Sequence, residues 1–200
     1  MLRAIALFFS GLACPLLVPL FALVFSFQSG TLFSFVPRYT QYVSYLLALL
    51  GPVLIPALSL PVLKYLRLID SYRLEDKHER VFPVLLTIIS AFVVFYLTRS
   101  LPRAGIVLQF YLVMIILLSG FMVVTAFWKM SMHMTALGAL CGWVFILGSK
   151  YAGDVWGILA GLVLASGCVG SSRIYLQAHT PAQVYAGFLY GVFLVIGILS

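Results

Sequence analysis

Between Ser172 and Gln183 the chain reads Ser-Arg-Ile-Tyr-Leu-Gln-Ala-His-Thr-Pro-Ala-Gln, which sets Arg173 and His179 at the polar end of an otherwise apolar hairpin. Ionisable groups at the edge of a bilayer are rare, and they face a protein interior or a site rather than lipid. With Arg173 ending one helix and His179 opening onto the next, both can converge on one anionic group. Two further polar islands carry related chemistry. Arg73-Leu-Glu-Asp-Lys-His-Glu-Arg80 holds two arginines seven apart, and arginine suits phosphate because its planar fork donates paired hydrogen bonds. Lys129-Met-Ser-Met-His133 places Ser131 and His133 at a helix start, where unused N–H groups and a partial positive charge favour an anion.

Each island also has a plain structural reading. The first can be a solvated loop with local ion pairs. Ser131 can cap its helix, Arg173 can snorkel to headgroups, and His179-Thr180-Pro181 can simply begin a helix with proline in its first turn. Taken jointly, with all three on one membrane face, a shared anion site explains them better.

That shared face follows from the elements that carry the islands. The chain is 64% hydrophobic and 8% charged over 200 residues, with a mean hydropathy of +1.15, which excludes a soluble domain. Its apolar runs are continuous rather than alternating, so they read as membrane helices and not as barrel strands. The expected fold is an all-α polytopic membrane bundle of six to seven helices, one domain over residues 1–200. The spans fall at roughly 4–27, 42–68, 82–98, 106–127, 131–148, 154–172 and 183–199. The first is expected to remain as an uncleaved helix. The second carries Pro52, Pro56 and Pro61 and is expected to kink. Counting crossings puts the loop after the second span and the junctions 4/5 and 6/7 on the same side. Gly138/Gly142, Gly157/Gly161 and Gly187/Gly191 are each four apart, a spacing that lets helix backbones approach closely in lipid. They predict a tight trio of C-terminal helices.

Net charge is +7, yet no basic face is spread over a soluble surface, so nucleic acid is a poor partner. Cys14, Cys141 and Cys168 lie in the spans without metal-ligand spacing and read as small core residues. The motif side carries Arg3, Lys64, Arg67, Arg73, Lys77, Arg80, Lys129 and Arg173, against Arg38, Arg99, Arg103 and Lys150 opposite. The positive-inside rule would make the motif side cytoplasmic.

In order and spacing the three islands resemble the motifs of the type 2 phosphatidic acid phosphatase family, kin of the vanadium haloperoxidases. The family's K-x6-R-P is matched by Arg73-x6-Arg80-Val81, its P-S-G-H by Met130-Ser131-Met132-His133, and its S-R-x5-H-x3-D by Ser172-Arg173-x5-His179-x3-Gln183. The resemblance implies hydrolysis of a phosphomonoester or diphosphate through a phosphohistidine, with no metal or other cofactor. His179 would be the nucleophile and His133 the general acid. Arg73, Arg80, Arg173 and Ser131 would hold the phosphate oxygens. The implied substrate is a lipid phosphate or isoprenyl diphosphate entering from the membrane, and the implied setting is the bacterial inner membrane, where most relatives act on the outer side. Gln183 stands where the family has an aspartate that orients the nucleophile. A glutamine carbonyl can accept the same hydrogen bond but brings no charge. That departure keeps a second class of function open, a catalytically silent relative serving as a structural or lipid-binding subunit of a larger membrane complex. A small transporter is a weaker third reading, because the basic residues cluster at one face rather than at mid-membrane.

Overall fold

The computed structural model describes residues 14–71 and 78–200, together with the single positions Arg3, Ala6 and Gly11. Among the described residues all regular structure is helical. Six helices are long and apolar enough to cross a membrane, and the chain is a multi-pass membrane protein. They are α2 (Arg38–Tyr65), α3 (Val81–Thr98), α4 (Gly105–Phe127), α5 (Met132–Tyr151), α6 (Trp156–Tyr175) and α7 (Pro181–Leu199). A shorter apolar helix, α1 (Pro15–Gln28), precedes them, opening with a 3-10 turn over Pro15–Leu17. The start of the predicted first span lies mostly outside the described residues.

The chain packs as two compact units, residues 36–129 and residues 1–35 with 130–200. The first contains α2, α3 and α4. Its long α2 does not run as one regular helix: Leu49–Leu54 is π-helical around Pro52. Proline has no N–H to give to the carbonyl four residues back, so the hydrogen-bond ladder slips by one residue there. The expected kink is thus realised as a π turn, and Pro56 and Pro61 follow in the regular helix beyond it. Gly51, inside that turn, lets α2 reach α3, since a Cβ there would lie 2.5 Å from Val94 Cγ2. Thr40 Oγ1 donates to the Pro102 carbonyl at 2.9 Å, which fastens the start of α2 to the α3–α4 turn. Tyr111 and Phe121 of α4 are fully buried.

The second unit is built on α5. In its most apolar stretch 61% of residues are buried, against 22% for each of α6 and α7, so α5 is the helix the others pack against. A helix wrapped by others on several sides has no need of an amphipathic pattern. Trp143 Nε1 donates to Ser26 Oγ at 2.9 Å, and Ser26 Oγ donates to the Ala22 carbonyl at 2.7 Å, which ties α1 to α5 through a fully used hydroxyl.

The seam between α5 and α7 is close enough that side chains are excluded. A Cβ on Gly138 would collide with the Phe188 carbonyl oxygen, and one on Gly191 with the Thr135 carbonyl oxygen. Gly142 and Gly187 face the Val192 and Ser131 carbonyl oxygens in the same way. Two of the three glycine pairs therefore work as expected, reciprocally across one interface. The third does not: nothing lies within 4 Å of a Cβ placed on Gly157 or Gly161. Those two sit on the exposed side of α6, so the predicted trio is a close pair with α6 packed more loosely.

Candidate functional site

The end of this second unit that carries the polar residues is built from three helix termini. Met134 near the start of α5, Val169 near the end of α6 and Val184 near the start of α7 pack in one cluster with Leu137, Ile174 and Phe188. Gly170 lets this happen, for a Cβ there would stand 3.1 Å from Val184 and 3.5 Å from the Met134 side chain.

The α6–α7 corner is closed by backbone hydrogen bonds. Ala178 N–H donates to the Arg173 carbonyl at 3.1 Å and Gln177 N–H to the Ile174 carbonyl at 2.9 Å. With Gln177 left-handed at φ +52°, this is a Schellman closure made without glycine. It runs α6 on to Tyr175, so Arg173 lies in the last helical turn rather than ending the helix. One residue beyond the closure comes His179, of which only 7% is exposed.

α7 then starts two residues earlier than the apolar pattern predicts. Pro181 occupies its first turn and Thr180 caps it: Gln183 N–H donates to Thr180 Oγ1 at 3.4 Å, and Thr180 N–H donates to Gln183 Oε1 at 3.2 Å. This is a capping box, and Thr180-Pro-Ala-Gln183 carries its S/T-x-x-E/Q signature in plain sequence. The sequence reading assigned Gln183 only the role of an aspartate substitute and missed this one.

Gln183 Oε1 accepts a second hydrogen bond, from His179 Nδ1 at 3.1 Å. The two contacts settle the chemistry of both side chains. Thr180 N–H can only donate, so the atom facing it is the amide oxygen. An amide oxygen can only accept, so Nδ1 of His179 carries the proton and Nε2 of the neutral ring carries the lone pair. The Gln183 main chain acts as well, since its carbonyl accepts from Ser131 N–H at 3.3 Å and joins the start of α5 to the first turn of α7.

Ser131 holds the N-cap position of α5, yet its side chain makes no capping hydrogen bond. The residue is fully buried, and its Oγ has no partner among the described residues. The plain reading of Ser131 as a cap is therefore incorrect. His133, half-buried, follows in the first turn of the same helix.

The first island divides between described and undescribed residues. Arg73 lies outside the described residues, as do Glu75 and Asp76. Glu79 accepts from Asp70 N–H at 2.5 Å and so closes the base of the loop. Arg80 is the N-cap residue of α3 and is buried, 7% exposed, in the unit of α2, α3 and α4. The structure thus gathers Ser131, His133, Arg173, His179 and Gln183 at one end of one unit, and sets Arg80 in the other. No family model matches this chain, and no curated protein or solved structure does.

Proposed function

We propose that this chain is a membrane-embedded phosphatase of lipid phosphates or isoprenyl diphosphates, working through a phosphohistidine. The observation that carries the reading is the buried His179 ring, held through Nδ1 by Gln183 Oε1. An imidazole held at Nδ1 presents a nucleophilic Nε2, and an oriented nucleophile is what covalent catalysis requires. The partnerless Ser131 hydroxyl supports the reading too, because a buried hydroxyl without a partner is costly unless it serves a ligand.

In the first step Nε2 of His179 bonds to the terminal phosphorus as its bond to the leaving oxygen breaks, the lipid oxygen of a monoester or the bridging oxygen of a diphosphate. His133 in its imidazolium form gives the leaving oxygen its proton, and a lipid alcohol departs from a monoester or a lipid monophosphate from a diphosphate. In the second step His133, now neutral, takes a proton from water, and the resulting hydroxide displaces the histidine to release phosphate. Arg173 balances the charge on the phosphoryl oxygens, and Ser131 donates one more hydrogen bond. The substrate's tails stay in lipid while the headgroup enters among the helix ends, which suits a protein of the bacterial inner membrane. Gln183 sets the tautomer without stabilising the imidazolium; an aspartate-to-amide change in a serine protease triad costs up to ~10⁴-fold.

The test is phosphate release from a panel of lipid phosphates and diphosphates, with the protein in mild detergent. Release by wild type that disappears in His179→Ala establishes the nucleophile. Silence of the wild type and of every variant carrying a carboxylate at position 183 would end the enzymatic reading. A second reading, a silent lipid-binding or structural subunit of a membrane complex, is favoured by one observation. The capping box gives Gln183 a structural reason to exist without catalysis.

A further inference from the structure

The unit of α2, α3 and α4 carries different chemistry at its two ends. Its four carboxylates, Asp70, Glu75, Asp76 and Glu79, all belong to the 66–80 connection, which joins the end of α2 to the start of α3. The opposite end is set apart by the length of α3, 18 residues or about 27 Å. There the chain has three arginines and no acid. Arg38 opens α2, Arg99 is the C-cap residue of α3, and Arg103 lies in the turn before α4. All three are exposed, and no hydrogen bond or ion pair engages their guanidinium groups among the described residues. The 2.9 Å hydrogen bond from Thr40 to the Pro102 carbonyl holds the start of α2 against that turn, which brings the three charges to one end of the unit.

Two further features point the same way. α2 and α4 both begin here, and neither has a side chain capping its first N–H groups. Two positive helix ends therefore add to the arginines, against the one negative end of α3. Arg103 also stands at φ +54°, a left-handed backbone that glycine adopts without cost and arginine does not. Beside them Tyr39, Tyr42 and Tyr96 are 66%, 63% and 65% exposed, and exposed tyrosine rings settle at the headgroup level of a bilayer.

We propose that Arg38, Arg99 and Arg103 form a binding surface for the headgroups of anionic phospholipids. A guanidinium meets a phosphate with paired hydrogen bonds, and the charge of an anionic bilayer surface attracts basic residues at the ends of membrane helices. The source is the bilayer rather than free phosphate, because each arginine stands at the end of a span and next to exposed tyrosines. The surface uses none of the residues assigned to phosphoryl transfer, so it stands or falls apart from that chemistry.

The experiment titrates the full chain in mild detergent with phosphatidylglycerol and with phosphatidylcholine, and reads bound lipid by native mass spectrometry. Wild type is expected to prefer phosphatidylglycerol, and the preference should shrink as ionic strength rises. A triple variant, Arg38→Gln with Arg99→Gln and Arg103→Gln, should lose roughly a hundredfold in phosphatidylglycerol affinity, about fivefold for each basic residue, with phosphatidylcholine unchanged. Lysine at the same three positions keeps the charge and should hold affinity within about tenfold of wild type. Lys64→Gln with Arg67→Gln and Lys129→Gln removes three cations from the end that carries the acids, and should cost less than about tenfold. Arg103→Gly separates binding from folding: stability should stay at or above wild type while affinity falls about fivefold. Equal losses in the two glutamine triples, a lysine triple as weak as the glutamine one, or wild-type affinity in Arg103→Gly would overturn the surface. So would full displacement of the lipid by inorganic phosphate at constant ionic strength. Absence of any preference for phosphatidylglycerol in wild type would also overturn it, and would leave the arginines to an acidic segment of a partner protein.

Discussion

Replacing Gln183 with glutamate changes one atom of the contact and none of its reach. Both side chains have the same length, so a carboxylate oxygen in Gln183→Glu can occupy the place where Oε1 now accepts from His179 Nδ1 at 3.1 Å and from Thr180 N–H at 3.2 Å. The capping box tolerates the exchange, since glutamate is its other usual partner, and a negative charge in the first turn of a helix is itself stabilising. What changes is the charge facing the imidazolium that forms as His179 passes its electrons to phosphorus. At 3.1 Å and an effective dielectric constant of ~20, a carboxylate and an imidazolium attract by about 5 kcal/mol. That equals about four powers of ten in rate, the same scale as the loss from an aspartate-to-amide change in a protease triad. Gln183 is half-buried, so solvent removes part of this, and a gain of roughly 10- to 1000-fold is the expected range. The assay is single-turnover phosphate release from phosphatidic acid in detergent, beside a thermal melt to confirm that the cap survives. Gln183→Asp is the control, one methylene shorter and therefore a smaller gain. Activity of Gln183→Glu at or below the wild-type level, with an unchanged melt, would refute the assignment of Gln183 Oε1 as the group that orients the nucleophile.

Three other outcomes follow from the same geometry. The acidic limb of the pH profile should move to higher pH in Gln183→Glu: a carboxylate beside His179 raises the ring's pKa, so the neutral nucleophile is lost sooner as pH falls. Ser131→Ala removes a hydroxyl without an internal partner, so thermal stability should change by no more than about 0.5 kcal/mol while kcat/KM falls about tenfold. A fall in stability matched to the fall in rate would make Ser131 structural. Gly138→Ala should cost about 1–3 kcal/mol or more by forcing α5 from α7, whereas Gly157→Ala, with nothing within 4 Å, should change stability by less than about 1 kcal/mol in either direction. Thermal unfolding in detergent separates the two variants.

Helix number and order were legible because lipid demands long uninterrupted apolar runs, and a signal of about 20 residues is hard to misread. Contacts were less so. The spacing of Gly138/Gly142 is the same as that of Gly157/Gly161, and only the packing shows that the first pair meets α7 while the second faces outward. Helix ends were misplaced by a few residues, because the closure at Arg173–Ala178 uses a left-handed glutamine where a glycine would have been the visible sign. Among the candidate site residues, the joining of His179 to Gln183 was readable as i and i+4 across a helix start. The partnerless hydroxyl of Ser131 was not, since a serine at a helix start looks like any cap until its Oγ is found without a partner among the described residues.

The π turn at Leu49–Leu54 has a consequence for how α2 tolerates change in length. An ordinary helix advances about 100° per residue, so one extra residue in the ladder re-phases everything downstream. Before the turn the outward stripe runs through Tyr42, Leu46 and Leu50; after it the stripe resumes at Ile55, Leu58 and Val62, while Val53 is turned inward. Deleting one residue within 49–54 would let the ladder heal into a regular helix and would rotate the second half of α2 by about a quarter turn. Residues that now meet lipid would then face α3. An edit too small to register in a hydropathy plot would thus undo the fit of the helix, whereas several conservative replacements along the same stripe would leave it intact.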